Sequence, residues 1–427
     1  MGLVLAGWLA AQPARAETNN VALERVTPAL INQLAEEART NNQALAGARQ
    51  RISAAAAGRA GIRSWEDPMF GFGGVVASSR GMMLDQEGDL IYRLEEKLPV
   101  FNKPKYARAV ATAELTNEVL KADYEFQSLR RDIALQTLKL AEANETESLA
   151  RTDLAWLEAQ LAVMEDKYRL GLASQSEVLR MQSERIKARN QVQTYQTNIL
   201  TAGAGLNRLL NRPLENPWPD WRLPEVAPQV PLTPALIQLS LQYEPRLKVM
   251  DQEIRIASAT VRNTQRQRLP EVSLGVEGRQ YSGDAGFREG MFTMGLSLPW
   301  FNQGKYRQDV GRDQARLRAA ELDRSDYEQS ARNEVRQLTL QIGNVRREAL
   351  AYREEIIPRA RQAVASALAD WQSARGSLRE VLDSRRFLLE SQSMQVRAVA
   401  EQYRMLAELV LCCGLGDLDA IQRVAAP

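Results

Sequence analysis

The chain nearly repeats one sentence. Leu98–Tyr106 reads LPVFNKPKY and Leu298–Tyr306 reads LPWFNQGKY, so Leu, Pro, Phe, Asn, Lys and Tyr recur 200 positions apart in 427 residues. A junction copied about half a chain away means a duplicated unit, and whatever fold serves one half must serve the other.

The segments that follow the two junctions carry the same pattern. From Tyr106 to Leu170 there is neither Gly nor Pro. Val119, Phe126, Ile133, Leu140, Leu154, Leu161 and Tyr168 stand on one seven-residue ladder, interrupted only by Glu147. Ala122, Leu129, Ala143, Ala150, Leu157 and Met164 follow three positions behind. That spacing predicts a coiled-coil helix of about 100 Å. It stops at RLGLASQSEVL, where Gly171 suits a left-handed C-cap and Ser174 or Ser176 an N-cap. A second seam then runs through Val178, Met181, Val192, Tyr195, Ile199, Leu206 and Leu209. Two helices joined by so short a turn fold back antiparallel. The second half does likewise: Val335, Ile342, Val345, Ala349 and Ile356 lead to WQSARGSLREVL, and Leu382, Leu389, Val396, Tyr403 and Val410 return.

Ahead of each junction lie strand signals. EVSLGVEGRQY alternates Val272, Leu274 and Val276 with Ser273, Glu277 and Arg279, and MFTMGLSLP alternates Phe292, Met294 and Leu296 with Thr293 and Ser297. Their counterparts are MFGFGGVVA and DLIYRLEEKLP. The predicted organisation is a signal peptide over 1–16, a first repeat over 17–210, a Pro-rich connector over 211–234 and a second repeat over 235–427. Predicted strands are ~69–78, ~89–99, ~271–281 and ~290–299, and predicted hairpins are ~103–210 and ~303–411. The fold class is mostly α, with a small β portion that crosses a membrane.

Composition excludes more than it suggests. Lys and Arg total 55 against 53 Asp and Glu, which gives no reason to expect nucleic acid. Histidine is absent, and with it the commonest general base and metal ligand. Cys412 and Cys413 are the only cysteines and read as small apolar residues near a helix end. Acidic pairs such as Glu95–Glu96 and Glu354–Glu355 read as solvated surface. No catalytic, cofactor-binding or metal site is expected.

No run of 18 apolar residues is present, so an exported chain of this kind enters a membrane only as a barrel. Four strands cannot close one, and eight is the smallest usual number. Open edges in lipid cost several kcal/mol per unpaired group. Identical copies must therefore complete the ring, and three copies give a twelve-stranded barrel wide enough for water.

The duplicated strand–strand–long-helix unit, the LPxFN junctions and the YRLGLASQSEVL and WQSARGSLREVL tips resemble the TolC-type outer-membrane efflux channels. The junction is most similar to the branch serving heavy-metal resistance–nodulation–division pumps. The resemblance implies a homotrimer whose barrel continues as an α-helical periplasmic tunnel. It implies docking on a periplasmic adaptor and an inner-membrane pump, with heavy-metal cations or drugs as cargo. It further implies that Arg169, Leu170, Gly171 and Ser174, with Arg375, Gly376 and Ser377, meet the adaptor, and that Asp370 lies near a tunnel constriction. The competing readings are a periplasmic adaptor, which would carry one hairpin rather than two, and an extended coiled-coil scaffold.

Overall fold

A computed structural model describes residues 24–74, 89–232, 234–281, 286–373, 375–416 and 420–421. The expected signal peptide, and the stretch 75–78 of the first expected strand, lie outside the described residues. The elements run α1 (Pro28–Asn41), α2 (Gln43–Gly61), β1 (Met69–Gly74), β2 (Asp89–Leu98), α3 (Lys103–Arg169) and α4 (Gln175–Leu210). The second repeat follows with α5 (Pro234–Tyr243), α6 (Pro245–Gln267), β3 (Val272–Tyr281), β4 (Phe287–Leu296), α7 (Gln303–Ala351), α8 (Ile357–Gln372) and α9 (Leu378–Cys412). Each half is a helix pair, two strands and a long hairpin.

The strands form one antiparallel sheet in the order β1-β2-β3-β4. Beneath it the helices continue the same order: α2 packs on α3, α3 on α6, and α6 on α7. Helix α3 alone has 67 residues, a rod of about 100 Å. Helix α4 returns along α3, and α9 returns along α7 and α3. Among the described residues no helix is long and apolar enough to cross a membrane.

The Leu-Pro-x-Phe-Asn junctions lie between strand and helix. Both begin with a short 3-10 turn, Val100–Asn102 and Pro299–Asn302. In the first, Phe101 and Asn102 take left-handed backbone, φ 60° and 58°. Asparagine tolerates that conformation better than most residues, whereas a Phe there is unusual.

Two interruptions divide what the letters suggest is continuous helix. Asn42 separates α1 from α2; its Oδ1 accepts from the N–H of Ala44 at 2.8 Å, and its Nδ2 donates to the Leu209 carbonyl at 2.8 Å. Between α7 and α8 the helix widens to a π-turn over Tyr352–Ile356. Pro358 has no N–H for the Glu354 carbonyl, and its ring would crowd that carbonyl in a regular helix.

The main core lies where α1, α3, α4 and α9 meet the connector, around Leu34, Ile133, Leu138, Leu206, Trp221 and Val399. The connector lacks regular structure but is pinned. Buried Gln402 accepts the Ala227 N–H at 3.0 Å and donates to the Ala227 carbonyl at 3.1 Å. Asn207 donates to the carbonyls of Leu214 and Asn216.

Candidate functional site

Two surfaces carry the candidate chemistry: the sheet at one end of the molecule and the hairpin tips at the other. Paired residues of an antiparallel sheet share a face, so the register sorts every strand residue. One face holds the rows Phe70–Leu94–Val276–Phe292, Phe72–Tyr92–Gly278–Gly290 and Leu98–Val272–Leu296. Its large apolar side chains stand in the open, Phe292 at 89% exposure. The opposite face holds Gly71–Arg93–Glu277–Met291, Gly73–Ile91–Arg279–Glu289 and Lys97–Ser273–Gly295. The sheet is therefore mainly apolar on one side, with Glu96 the charged exception, while the other side mixes charged and small residues with Ile91 and Met291. Its outer strands, β1 and β4, each have one unpaired edge among the described residues.

The tips share a capping device. Ser174 Oγ accepts the Glu177 N–H at 3.3 Å while the Ser174 N–H donates to the Glu177 carboxylate at 2.9 Å. Ser377 and Glu380 repeat the arrangement at 3.3 and 3.2 Å, a reciprocal capping box at the start of each return helix. The two turn glycines have different reasons. Gly171 sits at φ +73°. At Gly376 a Cβ would approach the Cβ of Asp370 to 3.0 Å, because the Asp370 carbonyl accepts the N–H groups of both Arg375 and Gly376, at 2.8 and 3.0 Å.

The structure gathers Arg169, Leu170, Gly171 and Ser174 at the first tip, and Asp370, Arg375, Gly376 and Ser377 at the second. Arg169 is paired with Asp166 at 3.3 Å, and the Asp370 carboxylate with Arg375 at 3.4 Å, so Asp370 already has a cation beside it. Leu170 and Leu172 project into solvent, each 73% exposed. One core lies under both tips, built of Leu157, Leu161, Met164, Met181, Trp371 and Val381.

Sequence reasoning passed over the residues that fasten the hairpins together. Arg385 on α9 donates to Asp153 on α3 at 2.7 Å, with both side chains largely buried, and its guanidinium stacks 5.1 Å from the Trp156 ring. Arg386 donates to Glu184 on α4 at 2.6 Å. Burial raises the Glu184 pKa, but the Arg386 and Lys187 hydrogen bonds outweigh it and hold the carboxyl below its usual range. Lys167 lies 4.0 Å over Trp371. The pairs span up to 232 positions, and no local pattern marks them.

Residues 236–415 match the family model described as "Outer membrane efflux protein". In fold the likeness spans nearly everything described: the outer-membrane channel OprN matches at TM-score 0.78 and 19% identity, covering 90% of each chain. The second repeat thus matches that family in sequence, and the chain as a whole shares the fold of the channel. CusC, from a study of folding and transmembrane channel formation, matches at TM-score 0.78 and 17% identity, over 95% of this chain and 99% of its own. VceC of Vibrio cholerae matches at 0.75 and 19%, over 91% and 97%. No curated protein matches this chain in sequence. The family is one of channels, not enzymes.

Proposed function

We propose that this chain is the outer-membrane channel of a tripartite export system, with its helical hairpins in the periplasm. Three copies close their sheets into one twelve-stranded barrel, and substrate delivered by an inner-membrane pump and a periplasmic adaptor leaves through it. The carrying observation is the two-faced sheet with open edges at β1 and β4. Both edges run so that β4 of one copy meets β1 of the next antiparallel, which closes a ring with the apolar face on lipid. A second unpartnered surface agrees. Leu179, Ile186 and Leu200 stand exposed on α4 at multiples of seven residues, a seam fit for another helix.

The decisive measurement combines membrane fractionation with the mass of the detergent-solubilised protein and its conductance in planar bilayers. Outer-membrane trimers that conduct are expected. A soluble or inner-membrane monomer would reject the reading and favour an adaptor or a scaffold.

The finer assignments rest on the resemblance of the tips and junctions. The exposed tips dock the adaptor through Arg169, Leu170, Gly171, Ser174, Arg375, Gly376 and Ser377. Leu170→Asp is expected to abolish adaptor co-purification and leave the trimer intact, since Leu170 contributes no buried contact. Asp370 narrows the tunnel near its entrance. Asp370→Ala is expected to raise conductance and weaken cation preference, and unchanged values for both would remove that role. Heavy-metal cations on a resistance–nodulation–division pump are the cargo suggested by the LPxFN junction. Deleting the gene and profiling sensitivity to zinc, cobalt, cadmium, copper and organic drugs tests it.

A further inference from the structure

The two faces of the sheet treat the internal duplication differently. At the 200-residue offset, outward positions 92 and 94 hold Tyr and Leu where 292 and 294 hold Phe and Met, and Glu96, where the second copy has Leu296, is the one charged residue in this outward series. The inward positions diverge: Arg93, Glu95 and Lys97 stand opposite Thr293, Gly295 and Ser297 in the second copy. Lipid requires apolar side chains from both repeats. Charge concentrated on the face away from lipid, and unequal between the two copies of the strand, answers to something else.

That charge is organised around the seam between repeats. Arg93 of β2 pairs in register with Glu277 of β3 and donates to its carboxylate through Nε at 3.0 Å and Nη2 at 2.7 Å. Arg279 reaches the same carboxylate at 3.4 Å and Glu289, its register partner on β4, at 3.3 Å. Exposure divides the four unequally. The Glu277 side chain is 3% exposed beneath its two arginines, whereas Arg93 keeps 53%. Solvent at this height therefore meets guanidinium and the outer carboxylate of Glu289, with Glu277 underneath as the counter-charge.

We propose that Arg93, Glu277, Arg279 and Glu289 form a fixed-charge collar inside the barrel that sets which sign of solute passes most readily. The inference rests on the closed-barrel reading above. In each copy the two arginines and two glutamates balance, so the collar is neutral overall but presents its arginines to the lumen. It discriminates between anionic and cationic solutes through that balance. A purely structural ladder, locking the β2–β3–β4 register, would also use these pairs, and the two roles predict different data.

The test uses the purified trimer in planar bilayers under a potassium chloride gradient. The lower salt is kept near 10 mM, where the screening length is about 30 Å and wall charges act across the pore. Glu277→Gln or Glu289→Gln leaves one uncompensated positive charge per copy. Each is expected to raise chloride over potassium permeability severalfold, and Arg93→Gln to shift it the other way. Both shifts should fade at about 1 M salt, where screening falls to about 3 Å. Glu289→Gln carries the test if Glu277→Gln fails to assemble, because Glu289 is exposed and its loss buries no orphan charge. Unchanged permeability ratios in conducting trimers, with or without a loss of trimer stability, would overturn the collar. Failure of the unmodified protein to form a conducting trimer would instead overturn the channel reading beneath it.

Discussion

Asp153→Ala is expected to loosen the junction between the two hairpins by about 3 kcal/mol, the lower end for breaking a buried ion pair. The lost attraction is the smaller part of that figure. Removing the carboxylate leaves the Arg385 guanidinium largely buried against Trp156 and deprived of its 2.7 Å bond. An uncompensated buried cation is what makes such a change costly. The effect should be local, because the tip core of Leu157, Leu161, Met181, Trp371 and Val381 lies next to it, while the main core sits elsewhere. Amide exchange should quicken around 153–181 and 371–388 and stay slow in α1. If the tips close the tunnel, single-channel conductance should rise as well. Asp153→Leu combined with Arg385→Met should recover most of the protection, since two apolar side chains leave no charge to desolvate. Exchange unchanged by Asp153→Ala would show that Arg385 finds another partner and that the pair does not fasten the hairpins.

The contrast between that pair and the tips explains what could be read from the letters. Strand alternation and heptad ladders are local periods, visible in any window of ten or twenty residues. The fold class, the duplication and the likeness to efflux channels follow from them. The turn chemistry at Gly171, Ser174 and Ser377 is equally local, since a serine and a glutamate three positions on make the box by themselves. Asp153 and Arg385 are brought together only by packing α9 on α3, and neither residue is distinctive in its own window. Glu147 shows the same limit from another side. It interrupts the ladder of α3, yet it lies buried, paired with Arg151 at 2.6 Å and accepting from Gln196 of α4. The break at Asn42 is hidden because asparagine also occurs inside helices; its cap on the Ala44 N–H is local, but its bond to the Leu209 carbonyl exists only once α4 is beside it. Pro358 does announce a fault in its helix, but the letters do not say whether a proline kinks, breaks or widens it.

Glu244→Gln should remove a pH dependence from the stability of the assembled protein. Glu244 sits at the corner between α5 and α6 and is almost wholly buried. The Tyr327 hydroxyl donates to one of its oxygens, and the other has no partner among the described residues. Burial pushes the carboxyl up to about 7; Glu334 on α7 adds to this, while the Tyr327 bond and Arg246 oppose it. From α9, Cys412 and Cys413 face the same region, and burial likewise holds their thiols neutral, Cys413 raised to about 12. The sign follows from linkage. An unfolded glutamate loses its proton near 4.3, whereas the folded one keeps it to about 7. Between those values the unfolded state binds fewer protons, so stability falls as pH rises and levels off above 7. The loss is on the order of 2 kcal/mol per copy once partial solvent screening is allowed for. A glutamine stays neutral throughout and still accepts from Tyr327. Thermal midpoints of the two proteins should therefore coincide near pH 4 and separate by pH 8, with the glutamine variant the more stable. Parallel profiles across that range would mean that Glu244 is charged in the folded protein, with a cation or water serving its free oxygen.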